Sequence, residues 1–261
     1  MSRLLSHQVL GAGGRATVLL HGFLGSGRNL RSLGMRLVEA DPSRTVLMVD
    51  LPGHGDSPRP RADETLRTMA EDVLETARHA GLKAPLELVG HSLGGRVAVA
   101  AVDVAEPDIS AVALLDISPS PIPAALSASG AVLQKLLSVP ERAQDRRAMK
   151  DALLGAGLSL PITEWLLMNL RADEGGGVSW RIDRAALQAL QLRVNPEALW
   201  DIVERQSVKW LCIRGDRSPY VTDADARRLE ALGAQVSTVE SGHDVHVEAL
   251  GPVVTLLLRG L

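Results

Sequence analysis

Short apolar runs alternate along the chain with longer stretches in which apolar residues recur at the period of a helix. Apolar runs of this length, rich in β-branched residues, are typical of strands buried on both faces of a parallel sheet. Six segments have this pattern: 17–20, 46–49, 86–89, 111–115, 208–213 and 234–239. Their alternation with helices predicts an α/β fold with a mostly parallel central sheet and right-handed crossovers.

The clearest helix lies between the second and third predicted strands. Its apolar residues recur at intervals of three and four and form one stripe: Leu66, Met69, Ala70, Val73, Leu74 and Ala77. Its charged residues are predicted to form the solvent face: Glu71, Asp72, Glu75 and Arg78. This spacing is typical of a helix that covers one face of a sheet.

The alternation stops after Asp116 and resumes near residue 208. The intervening segment has a helical pattern interrupted by prolines, which predicts short helices over 124–139, 143–154, 162–170 and 184–190. Three glycines at 175–177 predict a flexible joint. We therefore expect a core made of residues 1–117 and 206–261, with a helical cap of residues 118–205 inserted over one sheet edge.

Composition narrows the class of protein. The 261 residues are 46% hydrophobic and 23% charged, which is typical of a folded globular chain. The net charge is −3 and both signs are interspersed, so neither nucleic acid nor an anionic membrane is an expected partner. We expect a small-molecule substrate, and a protein that acts as a monomer or homodimer.

Two further expectations follow from what the sequence contains. We recognise no export signal and no apolar run of the length that spans a bilayer, so we expect a cytoplasmic protein. The single cysteine, Cys212, lies within an apolar run and is expected to be a buried, inert thiol.

The strongest chemical signal is a GxSxG motif, Gly90-His91-Ser92-Leu93-Gly94. It follows a predicted strand and precedes a predicted helix, which is the context in which a sharp turn exposes a nucleophilic serine. Small flanking residues let the strand and the helix approach each other closely. The motif predicts Ser92 as a nucleophile at the carboxyl end of the sheet.

A serine hydroxyl needs a general base, usually a histidine. His243 follows the last predicted strand, which places it at the same sheet edge as Ser92, and it is the favoured base. His246 is an alternative that we interpret mainly as structural or pocket-lining. We interpret His54 as a residue that stabilises its loop.

Two aspartates at strand ends could orient that base. Asp116 ends the strand after the nucleophile helix, and Asp216 follows the strand that ends at residue 213. In the common arrangement of a serine, a histidine and an acid on such a sheet, the acid lies three residues after a glycine in the loop that Asp216 occupies. Here the residue three positions after Gly215 is Ser218. This favours Asp116. Asp216 remains open, and its alternative interpretation is a turn-forming or helix-capping residue.

Acyl transfer also needs hydrogen-bond donors for an oxyanion. The backbone N–H of Leu93, directly after the nucleophile, is one candidate. The second is the N–H of Phe23, because Gly22 allows the chain to bend after the first predicted strand. We expect both N–H groups to face Ser92.

Together these motifs resemble the α/β-hydrolase superfamily. The segments that carry the resemblance are His21-Gly22-Phe23, Asp50-Leu51-Pro52-Gly53-His54-Gly55-Asp56-Ser57, the GxSxG motif and Gly242-His243. Further segments resemble the small bacterial esterases of the YbfF type and their mitochondrial relatives: Asp116-Ile117-Ser118-Pro119, Trp180-Arg181-Ile182-Asp183, Ser218-Pro219-Tyr220-Val221 and Gly242-His243-Asp244-Val245-His246. The resemblance implies an α/β-hydrolase fold, a carboxylesterase or thioesterase under a helical cap, no metal or organic cofactor, and an acid at the position of Asp116.

The leading functional hypothesis is hydrolysis of carboxylic esters with short to medium acyl chains, through an acyl-enzyme and a Ser92-His243-Asp116 triad. The alternatives are an acyl-CoA thioesterase, a carbon–carbon bond hydrolase or lyase, and a receptor without activity. A thioesterase would favour a basic entrance, for which the candidates are Arg142, Arg146, Arg147 and Lys150. Aliphatic residues are expected to shape the pocket, among them Leu136, Leu137, Leu166 and Met168.

Overall fold

A computed structural model describes residues 2–123, 127–205 and 208–261 of the chain. These residues form ten strands: β1 (His7–Gly11), β2 (Arg15–Leu20), β3 (Arg44–Val49), β4 (Leu86–His91), β5 (Ile109–Leu115), β6 (Arg142–Ala143), β7 (Leu170–Ala172), β8 (Val178–Trp180), β9 (Lys209–Gly215) and β10 (Gln235–Val239). They form eleven α-helices: α1 (Arg31–Ala40), α2 (Leu66–His79), α3 (Leu93–Ala105), α4 (Ala128–Leu137), α5 (Arg146–Gly155), α6 (Leu160–Leu166), α7 (Arg184–Val194), α8 (Trp200–Arg205), α9 (Asp223–Ala231), α10 (Val245–Glu248) and α11 (Leu250–Gly260).

Seven strands form the central sheet in the order β1-β3-β2-β4-β5-β9-β10. All neighbours are parallel except β1, which pairs antiparallel with β3 at the edge. The six predicted strands are therefore confirmed as β2, β3, β4, β5, β9 and β10, and the α/β class is confirmed with them. The edge strand β1 was not predicted.

Apolar residues of the strands face alternately toward two cores, which explains why the runs are continuous rather than alternating. On β2, Val18 and Leu20 pack with residues of α2 and α3, whereas Leu19 packs with residues of α1 and α11 on the other face. Strand β5 does the same, since Val112 and Ala113 belong to opposite cores. The sheet is thus covered on both faces by helices.

Helix α2 shows how local sequence defines an element. The Thr65 side chain accepts a hydrogen bond from the Thr68 N–H and caps the helix, and Gly81 follows its end with a positive φ of 82°. The predicted apolar stripe is buried. The predicted solvent face is wrong at Asp72, which is fully buried because its carboxylate pairs with Arg61.

The described residues between β5 and β9 form five α-helices, α4 to α8, and a small antiparallel sheet in the order β6-β8-β7. The purely helical prediction for this region was incomplete, and the glycines at 175–177 form the turn between β7 and β8 rather than a joint between helices. Residues 124–126 of the predicted helix 124–139 lie outside the described residues. The boundaries 118 and 205 of the cap stay a prediction.

Several polar contacts fasten this region to the core. Arg96 of α3 is almost fully buried and donates hydrogen bonds to the carbonyl oxygens of Ser120, Val194 and Glu197. A buried guanidinium needs such acceptors, because an unpaired charge is costly to remove from water.

None of the described helices combines the length and the apolar character needed to cross a bilayer.

Candidate active site

Four neighbouring strands bring the chemical residues to one edge of the sheet. Leu20 at the end of β2 is paired with Gly90 of β4, His91 of β4 with Leu115 of β5, and Leu115 with Ile213 of β9. The chain therefore leaves these strands at the same level. Loops at the carboxyl ends of parallel strands form the usual place for a site in an open α/β sheet.

Ser92 occupies the sharp turn between β4 and α3. Its φ is 52°, in the left-handed region that non-glycine residues rarely adopt, and such strain is characteristic of functional turns. A Cβ atom at Gly90 would lie 2.3 Å from the backbone carbonyl carbon of Gly94, so only glycine allows strand and helix to approach this closely. The turn presents the Ser92 side chain to a cavity.

Asp116 lies directly after β5 and is fully buried. Its Oδ2 atom lies 2.7 Å from Nδ1 of His243, and its Oδ1 atom accepts a hydrogen bond of 2.8 Å from the N–H of Gly215. The Ser218 hydroxyl also donates to Oδ2. Three donors therefore hold the carboxylate in place beside the histidine.

Asp216, the other candidate acid, lies elsewhere. Its side chain is 45% exposed and accepts a hydrogen bond of 2.8 Å from the N–H of Ser241. Arg217 lies 3.3 Å from the same carboxylate. Its carboxylate thus stabilises the turn before His243, and the structure brings Asp116, not Asp216, into contact with the His243 ring.

Three contacts fix the His243 ring and its loop. The Tyr220 ring stacks on it with a centroid distance of 4.0 Å and an interplanar angle of 26°. His91 Nε2 donates to the His243 carbonyl oxygen over 3.0 Å. Because Asp116 binds Nδ1 of His243, Nε2 of that ring remains to contact a substrate or Ser92. Ser92 lines the same cavity, and its side chain makes no hydrogen bond to the described residues.

The two predicted oxyanion donors lie beside Ser92. Within the described residues neither the Phe23 N–H nor the Leu93 N–H donates to a protein acceptor. A Cβ atom at Gly22 would lie 2.7 Å from His91 Nδ1 and 3.4 Å from Ser92 Cβ, so the Gly22 backbone passes close to the turn that carries Ser92. Two N–H groups without protein acceptors at this position can receive an oxyanion.

Two buried histidines brace the loop that carries Phe23. His21 Nε2 accepts from the Leu51 N–H, and His54 Nε2 accepts from the Leu24 N–H. Burial lowers the pKa of His21 to about 4 and that of His54 to about 3, so both rings are neutral at pH 7. The prediction that His54 stabilises its loop is confirmed.

His246, the alternative base, lies in the cavity wall without a carboxylate to orient it as Asp116 orients His243. Its ring packs on His91 at a centroid distance of 4.5 Å. Burial lowers its pKa to about 4 and holds that of His91 well below the usual range. This placement agrees with the pocket-lining interpretation.

The buried Cys212 is also confirmed, and burial raises its pKa to about 12.

The cavity above Ser92 has a volume of about 440 Å³. Its apolar wall comes mainly from the region after β5, through Val132, Pro161, Ile162 and Trp165. The predicted wall was wrong. Leu136 and Leu166 are fully buried in the core, Met168 is half exposed, and none of the four predicted residues lines the cavity.

Sequence reasoning underrated two residues of the site. The sequence predicts no role for Ser218 beyond its place in a resembling segment and at the missing acid, yet its hydroxyl binds the Asp116 carboxylate. Tyr220 was noted only as part of a resembling segment, yet its ring covers His243 and its hydroxyl accepts from the Ala128 N–H. Ser218 lies three residues after Gly215, where the acid stands in the common arrangement, and this spacing is the sequence signal that could have identified Ser218.

Comparisons with known proteins agree with this fold. A family model of the alpha/beta hydrolase fold matches residues 17–151. The chain is 32% identical to the sn-1-specific diacylglycerol lipase ABHD11 of Mus musculus, covering 88% of this chain and 76% of that protein. It is 27% identical to esterase YbfF of Escherichia coli, covering 94% and 92% of the two chains. A solved marine microorganism esterase superposes with a TM-score of 0.87 at 23% identity, with both chains fully covered.

Proposed function

Because this chain belongs to the α/β-hydrolase fold family and is a hydrolase of ester bonds, we propose that it is a serine carboxylesterase that forms an acyl-enzyme. Ser92 is the nucleophile, His243 is the general base and Asp116 orients it. The N–H groups of Phe23 and Leu93 form the oxyanion hole. The substrate is a carboxylic ester with a short to medium acyl chain.

In the first half-reaction the Ser92 oxygen attacks the carbonyl carbon while His243 Nε2 accepts the hydroxyl proton. The Asp116 carboxylate stabilises the imidazolium through Nδ1, and the two N–H groups stabilise the oxyanion. The tetrahedral intermediate then collapses, and His243 returns the proton to the leaving alcohol oxygen. The acyl group remains esterified to Ser92.

In the second half-reaction a water molecule attacks the acyl carbonyl and gives its proton to His243. Collapse of this intermediate releases the carboxylic acid, and the proton returns to the Ser92 oxygen. The observation that carries this proposal is the contact of 2.7 Å between the buried Asp116 carboxylate and His243, beside the strained turn at Ser92.

The charges around the cap favour an ester over a CoA thioester. Three of the four basic candidates for an entrance are paired, Arg142 with Asp173 and both Arg146 and Lys150 with Glu164, whereas Arg147 has no ion pair among the described residues. The described cavity wall contains no lysine or arginine. Because a CoA phosphate needs unpaired cations, these pairs support the smaller, uncharged substrate.

The cavity volume supports short to medium chains. Ligand sites range over roughly 300–1,000 Å³, and about 440 Å³ lies near the lower end. On a series of p-nitrophenyl esters we expect the rate to be highest for short and medium acyl chains and to fall for long ones. A rate that rises steadily into long chains would contradict the substrate assignment.

Three variants test the residues. We expect Ser92→Ala to lose at least about a thousandfold in kcat on p-nitrophenyl butyrate, and Asp116→Asn to lose about as much. Asp216→Asn is the matched control, because an asparagine oxygen can still accept from the Ser241 N–H, and it should retain activity. Loss of activity in Asp216→Asn together with an active Asp116→Asn would reverse the choice of acid.

A further inference from the structure

Two histidines and an aspartate form a cluster beside the proposed base. His91, Asp244 and His246 each offer one ligand atom, and these atoms all lie within 4.8 Å of one another. His91 Nε2 lies 3.8 Å from an Asp244 carboxylate oxygen. All three residues line the cavity, but the acyl-transfer steps use none of their side chains.

One member of this cluster lacks a partner. His246 is only 6% exposed, and its buried Nδ1 atom has no hydrogen-bond partner among the described residues. An unpaired buried polar atom costs free energy, and in a native structure it points to an absent ligand or to a functional role. The His246 ring lies against that of His91, so the ring with the unpaired nitrogen stands beside a second imidazole and a carboxylate.

We propose that His91, Asp244 and His246 form an inhibitory site for a divalent transition-metal ion such as Zn²⁺. Two imidazole nitrogens and one carboxylate oxygen suit Zn²⁺, Ni²⁺ or Cu²⁺, whereas Mg²⁺ and Ca²⁺ prefer oxygen ligands. The site leaves one coordination position open to the cavity.

The cluster needs only a small contraction to hold the ion. Zinc–ligand distances of about 2.0–2.2 Å place tetrahedral ligand atoms about 3.4 Å apart, compared with at most 4.8 Å in the cluster. The Asp244 side chain is 63% exposed, so its carboxylate can rotate without displacing the core. The two imidazoles belong to the rigid end of β4 and to α10, which keep them close together.

Metal binding interferes with the proposed base through His91. The His91 Nε2–H donates to the His243 carbonyl oxygen over 3.0 Å. Ligation through Nε2 requires a lone pair on that atom, so the neutral ring must carry its proton on Nδ1 instead. The hydrogen bond to His243 is then lost, and the loop that positions the base loses one of its anchors.

The charge of the ion also opposes the action of His243 as a base. The rings of His91 and His243 have centroids only 4.6 Å apart. A positive charge forms on His243 while it holds the serine proton, and a nearby dication repels that charge. The inhibitory consequence rests on the proposed serine esterase mechanism, whereas metal binding itself does not.

Calorimetric titration of the whole chain with ZnCl₂ tests the site independently of activity. We expect saturable binding of one Zn²⁺ per chain, weakened at least about tenfold in Asp244→Asn and in His246→Leu. The matched control is His79→Gln, which removes an exposed histidine outside the cluster and should bind as the wild type does. Absence of saturable binding, or binding of wild-type strength in either cluster variant, would overturn the site.

Hydrolysis of p-nitrophenyl butyrate with increasing ZnCl₂ tests the inhibitory part. Each variant is compared with its own rate in EDTA, so that any change in basal activity cancels. We expect Zn²⁺ to inhibit the wild type reversibly, and both cluster variants to need at least about tenfold more Zn²⁺ for half-inhibition. Saturating Zn²⁺ without inhibition would overturn the regulatory role. A chain that binds Zn²⁺ but hydrolyses no ester would instead overturn the proposed function.

Discussion

Ser218 and the proposed base share one oxygen of Asp116. The Ser218 hydroxyl and the His243 Nδ1 atom both contact Oδ2, so the serine determines where that oxygen points. Ser218 is not among the described residues that line the cavity, so its role is to position the acid. A hydrogen bond to a charged group contributes about 1.5–3 kcal/mol.

Replacing Ser218 should therefore slow the chemical step. For Ser218→Ala we expect kcat on p-nitrophenyl butyrate to fall at least about tenfold with little change in KM, because the serine positions the acid rather than the substrate. Ser218→Thr keeps the hydroxyl and should restore most of the rate. Steady-state kinetics of the wild type and the two variants measure these changes, and melting temperatures check that each protein is folded. An unchanged kcat in Ser218→Ala would exclude the positioning role.

Sequence reasoning reached many of the individual residues because their roles depend on local context. Ser92 and Asp116 directly follow β4 and β5, and Phe23 and His243 lie next to glycines in the short loops after β2 and β10, so strand order and motif bring them to one edge. Ser218 and Tyr220 lie in the loop after β9, outside such a motif, where the path of the chain decides what each side chain touches. That path depends on tertiary packing, and strand patterns do not report it.

At the scale of elements, helix α2 has a buried carboxylate that its apolar periodicity did not predict. Asp72 was predicted to face solvent, but its carboxylate lies 2.8 Å from Arg61 and 3.2 Å from Arg3. The N-terminal segment and the loop before α2 cover this side of the helix. Both arginines are partly exposed and also pair with the buried Glu64, so removing Asp72 takes hydrogen bonds to charged groups from a network rather than leaving a lone buried charge.

Asp72→Ala should consequently destabilise the fold by about 1–3 kcal/mol in the free energy of unfolding measured with urea, because Arg3 and Arg61 lose one partner but keep Glu64. Glu71→Ala is the matched control on the neighbouring, partly exposed position, where only a change of about 0.5 kcal/mol or less is expected. If both variants unfold at the same urea concentration as the wild type, Asp72 does not stabilise α2.

Elements with a long, strong pattern were predictable, and short ones were not. Strands buried on both faces have continuous apolar runs, which is why the six parallel strands were identified. Strand β1 is an edge strand whose residues are half-buried or exposed, and β6, β7 and β8 contain only two or three residues each. Such strands depend on pairing partners distant in sequence rather than on their own periodicity.

At the scale of the whole molecule, buried neutral histidines make stability depend on pH. The pKa is about 4 for His21 and about 3 for His54, whereas both rise to about 6.5 on unfolding. The unfolded chain therefore binds more protons below pH 6.5, and stability falls as pH falls from 6.5 toward 4. Each such histidine contributes a slope of about 1.4 kcal/mol per pH unit in this window.

His54→Gln should reduce that slope between pH 6 and 4.5 by about 1.4 kcal/mol per unit, because one proton-binding group is removed from the unfolded chain. Glutamine keeps an acceptor for the Leu24 N–H. Urea unfolding at several pH values measures the slope, and His79→Gln, which removes an exposed histidine, should match the wild type. A His54→Gln slope equal to that of the wild type would contradict neutral burial of this ring.

The site also depends on how the region after β5 closes over the sheet. Asn169 donates to the Leu24 carbonyl oxygen, Arg181 pairs with Asp56, and Arg96 joins α3 to three carbonyl oxygens. Three of these contacts join residues more than a hundred positions apart: Asn169 with Leu24, Arg181 with Asp56, and Arg96 with Glu197. Their geometry, and with it the cavity wall, could not be predicted from helical periodicity alone.

The central claim, that Ser92 is an activated nucleophile, is tested most directly by covalent trapping. The protein is treated with a fluorophosphonate, which reacts with serines activated by a general base, and its intact mass is measured before peptide mapping. The proposed mechanism predicts one phosphonyl group per chain, located on Ser92, and none on Ser92→Ala. Labelling of Ser92→Ala to the same extent, or no labelling of the wild type, would contradict it.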